Sequence, residues 1–263
     1  ATLGRSTPIN KRTGLMKIKA IRAGALVWSV LTIVLAGLSS TASAGLSFNP
    51  NVTPAQMAAV LDGPGLSIQN AQITRGAAEQ YGVLGGAKAL LGFESGIFLT
   101  TGRVASLQPP NNTGSYSYDT PQALYRDADL LAISPYAKYD PVAFEFDIVP
   151  QGDRANFVFS FGSEEYPEFV CSQYNDAFGL FITGPGISGT RNAAFLPNTQ
   201  TPIAVNNVNG GAAGSQADGA ACQLSNTGYF IDNGNGTGSS ASQLDGFTKT
   251  LTTAITGLQA GQV

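Results

Sequence analysis

The 263-residue sequence contains no histidine. A Ser-His-Asp triad, a Cys-His pair and an imidazole zinc site all need that side chain, so these classes of site are excluded. The sequence also lacks a P-loop and a dinucleotide-binding fingerprint. The remaining route to catalysis is a pair of carboxylates, as in a glycoside hydrolase. Carboxylates in sandwich loops are more often calcium ligands, caps or solvated charges, so we assign no catalytic residue. The carboxylates considered are Glu145, Asp147, Glu164, Glu165, Glu168 and Asp176.

Basic residues are scarce after the first 44 positions. Six of the 14 lysines and arginines lie in residues 1–44, whereas all 17 acidic residues follow them. The part from residue 45 onward therefore carries eight basic residues and a net charge of −9. Nucleic acids and anionic membranes bind basic surfaces, so we expect neither as a partner. Cations and neutral ligands remain possible.

The N-terminal segment has the features of a secretory signal peptide. Met16 begins a short basic stretch, an apolar run follows at 23–38, and small residues lead to Ala44. The apolar run is short for a membrane-spanning helix, which is the alternative interpretation. We therefore predict a signal peptide at 16–44, cleavage before Gly45, secretion to the cell surface, and no membrane insertion after cleavage. Residues 1–15 are interpreted as an upstream extension without a structural role.

Alternating hydrophobicity predicts β-strands in the middle of the chain. Residues 142–149 place Phe144, Phe146 and Ile148 on one face, and Glu145 and Asp147 on the opposite face, which we expect to be solvated. A turn at 150–153 leads to a second strand, whose rings Phe157, Phe159 and Phe161 also share one face. We therefore predict a hairpin whose two aromatic faces line one core.

Other segments complete a mainly β prediction. Residues 66–74, 96–100 and 177–183 have strand patterns, and Thr53 with Gln56 forms a capping-box motif before a short helix. The predicted fold is an antiparallel β-sandwich, jelly-roll-like, with this short N-terminal helix. The strand pattern near the C-terminus stops at Val263 as another strand would begin, so we expect further C-terminal strands to be missing.

Several ordered motifs resemble one family of bacterial secreted and surface proteins. FGSEEYPEFV at 161–170 and YNDAFGLFITGPG at 174–186 are similar to its signatures. GFESGIFLTTG at 92–102, DADL at 127–130 and YDPVAFEFDIVPQGD at 139–153 follow the family's order. The chain thus resembles the choice-of-anchor L family, which implies that residues 45–263 are one such β domain, truncated at its C-terminus. It also implies a cell-surface anchor in the missing C-terminal part.

Three interpretations of function follow. The first is a non-catalytic surface module for adhesion or for contact with the extracellular matrix or surface layer, binding a glycan or a surface protein. The second is a carbohydrate-binding or carbohydrate-cleaving domain, because tyrosine faces suit sugar rings. The third is a structural subunit that polymerises through an open sheet edge. The tyrosines that motivate the second are Tyr116, Tyr118, Tyr166 and Tyr174.

Two structural sites are predicted in the exported part. Cys171 and Cys222 are the only cysteines, and an oxidising compartment favours a disulfide between them. The acidic loop offers hard oxygen donors of the kind that calcium binds, with Glu165 and Asp176 as the preferred pair. In the alternative, Asn175 and Asp176 cap a turn and the glutamates are solvated. The predicted calcium ligands are Glu164, Glu165, Asn175 and Asp176, with Glu168 nearby.

Overall fold

The computed structural model describes residues 15–21, 26–30, 46–114, 116–117, 126–238 and 241–263. The predicted cleavage position after Ala44 and the side chain of Tyr118 lie outside these residues. Three α-helices are described: α1 Pro54–Leu61, α2 Lys88–Leu91 and α3 Ala128–Ile133. The strands are β1 Leu15–Ile21, β2 Leu26–Val30, β3 Ser47–Asn49, β4 Leu66–Arg75, β5 Tyr81–Gly85, β6 Ser95–Thr100, β7 Val142–Pro150, β8 Arg154–Ser163, β9 Ala177–Gly184, β10 Ile187–Asn192, β11 Ile203–Ala204, β12 Phe230–Asp232, β13 Gly246–Thr248 and β14 Leu251–Thr256.

The strands form two antiparallel sheets. The first has the order β10-β9-β1-β7-β4, with β11 also paired to β9. The second has the order β12-β13-β8-β2-β6-β5-β3, with β14 also paired to β8. Apolar side chains from both sheets meet in one core, so the sandwich prediction is confirmed.

The two N-terminal strands hold an inner position in each sheet. Strand β1 pairs with β7 on one side and β9 on the other. Strand β2 lies in the same way between β6 and β8. Both fall in the N-terminal region where the sequence predicts a signal peptide, and cleavage after Ala44 would remove them from the sheets. Cleavage remains a prediction from the sequence.

The predicted hairpin of β7 and β8 is wrong. Strand β7 pairs with β1 and β4 in the first sheet, whereas β8 pairs with β2, β13 and β14 in the second. The connection at 151–153 therefore carries the chain from one layer of the sandwich to the other. The two aromatic faces still meet in the common core, where Phe144 and Phe159 are buried. Alternation identifies the buried face of a strand but does not identify its hydrogen-bonding partner.

The opposite face of β7 is also buried, so the expectation of a solvated face is wrong. Glu145 and Asp147 are 9% and 6% exposed. Glu145 accepts a hydrogen bond from Thr74 Oγ1 at 2.9 Å, and Asp147 accepts one from Asn70 Nδ2 at 2.7 Å. Because β7 is an inner strand, side chains from neighbouring β4 cover its polar face.

The helix prediction near Thr53 is confirmed. The Thr53 hydroxyl accepts from the Gln56 backbone N–H at 3.2 Å, and the Gln56 side chain accepts from the Thr53 N–H at 2.7 Å. Met57 and Leu61 are buried and attach α1 to the sandwich. Among the described residues, no helix is long and apolar enough to span a membrane.

Candidate functional site

The acidic loop, residues 164–176, connects β8 in the second sheet with β9 in the first. It is fixed by the Cys171–Cys222 disulfide, whose Cα atoms are 5.1 Å apart, so this prediction is confirmed. The Cys171 backbone N–H also donates to Asn206 Oδ1 at 2.8 Å, and the Gly214 N–H donates to the Val170 carbonyl at 2.9 Å. The loop is therefore anchored to the long segment that precedes β12.

Both ends of the acidic loop are tied by buried hydrogen bonds. The Ser163 hydroxyl donates to Asp176 Oδ2 at 2.6 Å and accepts from the Glu165 N–H at 3.0 Å. Asn175 Oδ1 accepts from the Asn206 N–H at 2.9 Å, and its Nδ2 donates to Ser134 Oγ at 3.0 Å. Asn175 and Asp176 thus act as structural hydrogen-bonding groups.

The four predicted calcium ligands do not form a ready metal group. In the described part of the chain, no three or more His, Cys, Asp or Glu side chains are arranged to hold a metal ion. Glu165 lies with Asn175 at a pocket on one side of the loop. Glu164 instead interacts electrostatically with Asp245, far along the sequence. Calcium binding by Glu164, Glu165, Asn175 and Asp176 remains a prediction.

A shallow pocket with tyrosine side chains lies beside the acidic loop. Its volume is about 110 Å³. Tyr139 and Tyr174 are exposed at this surface, by 40% and 56%. The Tyr174 ring packs edge-on against Phe169 with centroids 5.2 Å apart. We call this feature the tyrosine pocket; its lining is Tyr136, Lys138, Tyr139, Glu165, Gln173, Tyr174 and Asn175.

Only part of the tyrosine set suggested by the sequence lies at this surface. Tyr166 is fully buried, and its hydroxyl donates to the Val208 carbonyl at 2.6 Å, so its suggested ligand role is wrong. Burial, and then the charge of Asp176, raise the pKa of Tyr166 well above its usual value. Tyr116 accepts from Arg103 Nη2 at 3.0 Å, and this bond lowers the pKa of Tyr116. Tyr174 is exposed as a ligand contact requires.

Two tyrosines of the pocket are not identified from the sequence as candidate ligand contacts. Tyr136 and Tyr139 lie in the segment PYAKYDP, between α3 and β7. Neither strand nor helix periodicity covers this segment. Tyrosines flanked by prolines at both ends were the signal that could have identified it, because such a segment leaves its rings outside regular structure.

A second group of acidic residues is assembled where three distant segments meet. Glu164 and Asp245 are 6% and 1% exposed, although both are acidic. Asp245 Oδ1 accepts from Nδ2 of the fully buried Asn111 at 2.7 Å. Glu168 accepts from the Asn235 side-chain amide. We call the buried Glu164 and Asp245, the half-buried Glu168 and the supporting Asn111 the buried carboxylate cluster.

The cluster has strongly perturbed electrostatics. Burial is the largest cause that raises the pKa of Glu164 to about 9, followed by the charge of Asp245. Burial also raises the pKa of Asp245 to about 7, against the Asn111 hydrogen bond, which lowers it. Neither Glu164 carboxylate oxygen has a hydrogen bond of normal geometry. The backbone N–H of Tyr116 is close to the Glu164 carboxylate and lowers its pKa, which opposes the larger effect of burial.

Three further carboxylates, Asp127, Glu145 and Asp147, have structural roles. Asp127 caps helix α3 by accepting from the N–H groups of Asp129 and Leu130 at 3.0 and 3.2 Å. Glu145 and Asp147 accept hydrogen bonds from β4. Because Glu164 is also buried, a polymeric substrate does not reach it in this arrangement.

Comparison with known proteins identifies a family. The model of the choice-of-anchor L domain matches residues 47–263, which is most of the chain. The match includes the tyrosine pocket and the buried carboxylate cluster. No curated protein and no solved structure matches the chain.

Proposed function

The chain belongs to the choice-of-anchor L domain family of surface-associated bacterial proteins, and we propose that it is a non-catalytic module that attaches to extracellular material. The observation that carries this proposal is the pair of exposed tyrosines in the tyrosine pocket, Tyr139 and Tyr174. Their neighbours Lys138, Gln173 and Glu165 supply hydrogen-bonding groups around the rings. Rigid aromatic faces with a few polar groups are typical of binding surfaces.

The size of the pocket favours a polymer over a small molecule. Pockets that enclose drug-sized ligands have volumes of roughly 300–1,000 Å³. The tyrosine pocket, at about 110 Å³, is smaller than this range. One unit of an extended chain at the surface would fit such a depression while its neighbouring units stayed in solvent. A matrix glycan or an extended segment of a surface protein meets this description.

Carbohydrate is the second, more specific candidate. The faces of Tyr139 and Tyr174 offer apolar surface for the C–H side of a sugar ring, and Gln173 and Asn175 offer amides for hydroxyl groups. The acidic composition outside residues 1–44 suits a neutral glycan better than an anionic one. We propose neutral polysaccharide as the ligand class to test first.

Glycan-array binding with the purified chain is the direct test. We expect binding to neutral polysaccharides that falls about tenfold or more in Tyr174→Ala, since an aromatic anchor contributes at least about 1.4 kcal/mol. Leu224→Ala is the matched control, because Leu224 is 39% exposed and does not line the pocket. Equal losses in both variants, or release of sugar from the bound polymer, would contradict the proposal.

Calcium remains the proposed stabilising ion. The net negative charge beyond residue 44 and the oxygen-rich acidic loop support it. Glu165 and Asp176, the preferred pair, are both held at Ser163, through the Glu165 backbone N–H and Asp176 Oδ2. An ion there would bridge the loop to β9 without taking part in a reaction.

A further inference from the structure

The structure points to a cation site at the buried carboxylate cluster, and we propose that calcium binds between Glu164 and Asp245, with Glu168 nearby, and joins three loops. This inference is an alternative to the proposed calcium at Glu165 and Asp176, because it places the ion at different ligands. Of the four residues suggested by the sequence, only Glu164 takes part. Attachment through the tyrosine pocket can fail while this site stays intact.

The first observation is a set of buried carboxylate oxygens without hydrogen bonds. Both oxygens of Glu164, one of Glu168 and one of Asp245 are inaccessible to solvent and have no hydrogen-bond partner in the described part of the chain. Glu164 and Asp245 are more than nine-tenths buried as whole residues. A buried carboxylate without partners costs several kcal/mol, so proteins compensate such groups with a proton, a basic side chain or a metal ion.

The second observation is the sign of the surrounding charge. The charged neighbours of Glu164 are Asp245, Glu165 and Glu168, all acidic. The charged neighbours of Asp245 are Glu168 and Asp232, which are also acidic. The Arg103 side chain donates to the Tyr116 hydroxyl. A cation from solution would compensate the negative charge of these neighbouring carboxylates.

The third observation is that the surrounding loops are already fixed. Asn111 Nδ2 donates to Asp245 Oδ1 at 2.7 Å and to the Gly234 carbonyl at 3.1 Å, while its Oδ1 accepts from the Gly236 N–H at 3.0 Å. Gln243 Nε2 donates to the Thr113 carbonyl at 2.7 Å. These bonds hold residues 111–113 against residues 234–236 and 243–245, so the carboxylate of Asp245 is positioned before any ion binds.

Glu168 connects this pair of loops to the acidic loop. Its side chain accepts from the Asn235 amide, and its backbone carbonyl accepts from the Gln216 N–H at 2.8 Å. An ion at the cluster would therefore link residues 111–113, 164–168, 234–236 and 243–245. Binding there would cross-link segments that are far apart in sequence.

The available donors favour calcium over transition metals. The chain has no histidine, and its two cysteines form a disulfide, so only oxygen ligands are present. Calcium accepts carboxylates, amide oxygens, backbone carbonyls and water in flexible geometry, whereas magnesium requires a near-ideal octahedron. Because no three acidic side chains in the described residues form a ready group, carbonyls or waters must complete the shell. Such sites in extracellular modules bind calcium with Kd values of about 0.1–1 mM.

The competing explanation is a shared proton. In this explanation, one carboxyl of the cluster stays protonated at neutral pH and donates a hydrogen bond to a neighbouring carboxylate, as in a coupled acid pair. Both explanations predict that the isosteric variants Glu164→Gln and Asp245→Asn fold. They differ in calcium dependence, because only the cation site makes the wild-type protein respond to calcium.

Calorimetric titration of calcium into the chelator-treated full chain is the test. We expect saturable binding at about 0.1–1 mM, a calcium-dependent rise in Tm, and weaker binding of magnesium. Glu164→Gln and Asp245→Asn should each weaken calcium binding about tenfold or more, since affinity follows the number of charged ligands. Asp153→Asn is the matched control, because it removes an exposed carboxylate outside the cluster and the tyrosine pocket and should retain wild-type affinity.

Hydrogen exchange of the wild-type chain locates the ion without any variant. We expect calcium to slow exchange at the amides of Gly236 and Gly238, which donate to Asn111. Slowing confined to residues 172–176, or a loss of binding in Glu165→Gln alone, would place the ion at the site suggested by the sequence and overturn this inference. An absence of binding up to about 10 mM calcium, with a protonated carboxyl at pH 7, would identify the shared proton instead.

Discussion

Adjacent residues of the same type have opposite environments in this protein. Glu164 is directed to the buried carboxylate cluster, whereas Glu165 lies at the tyrosine pocket. Tyr166 is enclosed in the core, and Tyr174 is more than half exposed. Composition identified the acidic and aromatic character of this loop. It did not separate the buried residues of the loop from those at the surface. Asp245 and Asn111 come from distant segments that no local pattern connects to Glu164.

The buried hydroxyl of Tyr166 should contribute to stability and not to binding. Tyr166→Phe leaves the Val208 carbonyl without its donor at 2.6 Å, and an unsatisfied buried acceptor costs about 1–3 kcal/mol. Urea denaturation should show this loss in the free energy of unfolding. Tyr174→Phe, at a 56% exposed position, is the control and should change stability by less than about 0.5 kcal/mol. A larger loss of ligand binding than of stability in Tyr166→Phe would contradict the assignment.

Removing the charge of Asp245 should stabilise the calcium-free protein. Asp245→Asn keeps an oxygen that can accept from Asn111, but it removes a buried charge that acidic neighbours disfavour. In chelator we expect a gain of about 1 kcal/mol, which corresponds to a Tm rise of roughly 2–4 °C. Asp153→Asn, at an exposed turn, is the control and should leave Tm unchanged. A lower Tm for Asp245→Asn in chelator would show that the charge is already compensated.

At the scale of elements, the strands were easier to predict than their partners. The alternation at 142–149 and 157–161 identified β7 and β8 and their core faces. It suggested a hairpin because the connection is short, yet the two strands lie in different sheets. Short strands without clear alternation, such as β5 Tyr81–Gly85 with its two glycines, were not predicted. Their pairing depends on neighbours in the sheet, which a local pattern does not contain.

The disulfide should stabilise the connection between the two layers. It joins the acidic loop to the segment before β12 across 51 positions, and a loop of that length corresponds to up to about 4 kcal/mol in the chain-entropy model. The double variant Cys171→Ser/Cys222→Ser should therefore unfold at lower urea, with a loss of about 2–4 kcal/mol. Wild-type protein in reductant should show the same loss, and the variant should not respond to reductant. Unchanged stability in both samples would contradict this role.

For the whole molecule, the integrity of both sheets depends on two short N-terminal strands. Without β1 and β2, the twelve remaining described strands separate into four antiparallel groups. Strands β7 and β9 then lose their common partner in the first sheet, and β6 and β8 lose theirs in the second. Each newly unpaired edge belongs to a long, buried strand, which is the kind of edge that pairs with other chains.

The predicted cleavage after Ala44 would therefore open an inner position in each sheet. We expect residues 45–263 alone to complete these sheets with strands from other copies, since backbone donors and acceptors of buried strands require partners. Size-exclusion chromatography with light scattering should show concentration-dependent oligomers for 45–263 and a monomer for the full chain. This outcome would favour the structural-subunit interpretation for the exported form.

A synthetic peptide of residues 15–30 provides the decisive control, because it contains both β1 and β2. Added in excess, it should occupy the open positions and return 45–263 to a monomer, as strand addition does in other sheets. A peptide of the same composition in scrambled order should have no effect. If 45–263 is instead monomeric and as stable as the full chain, strands β1 and β2 do not support the sheets, and cleavage at Ala44 carries no structural cost.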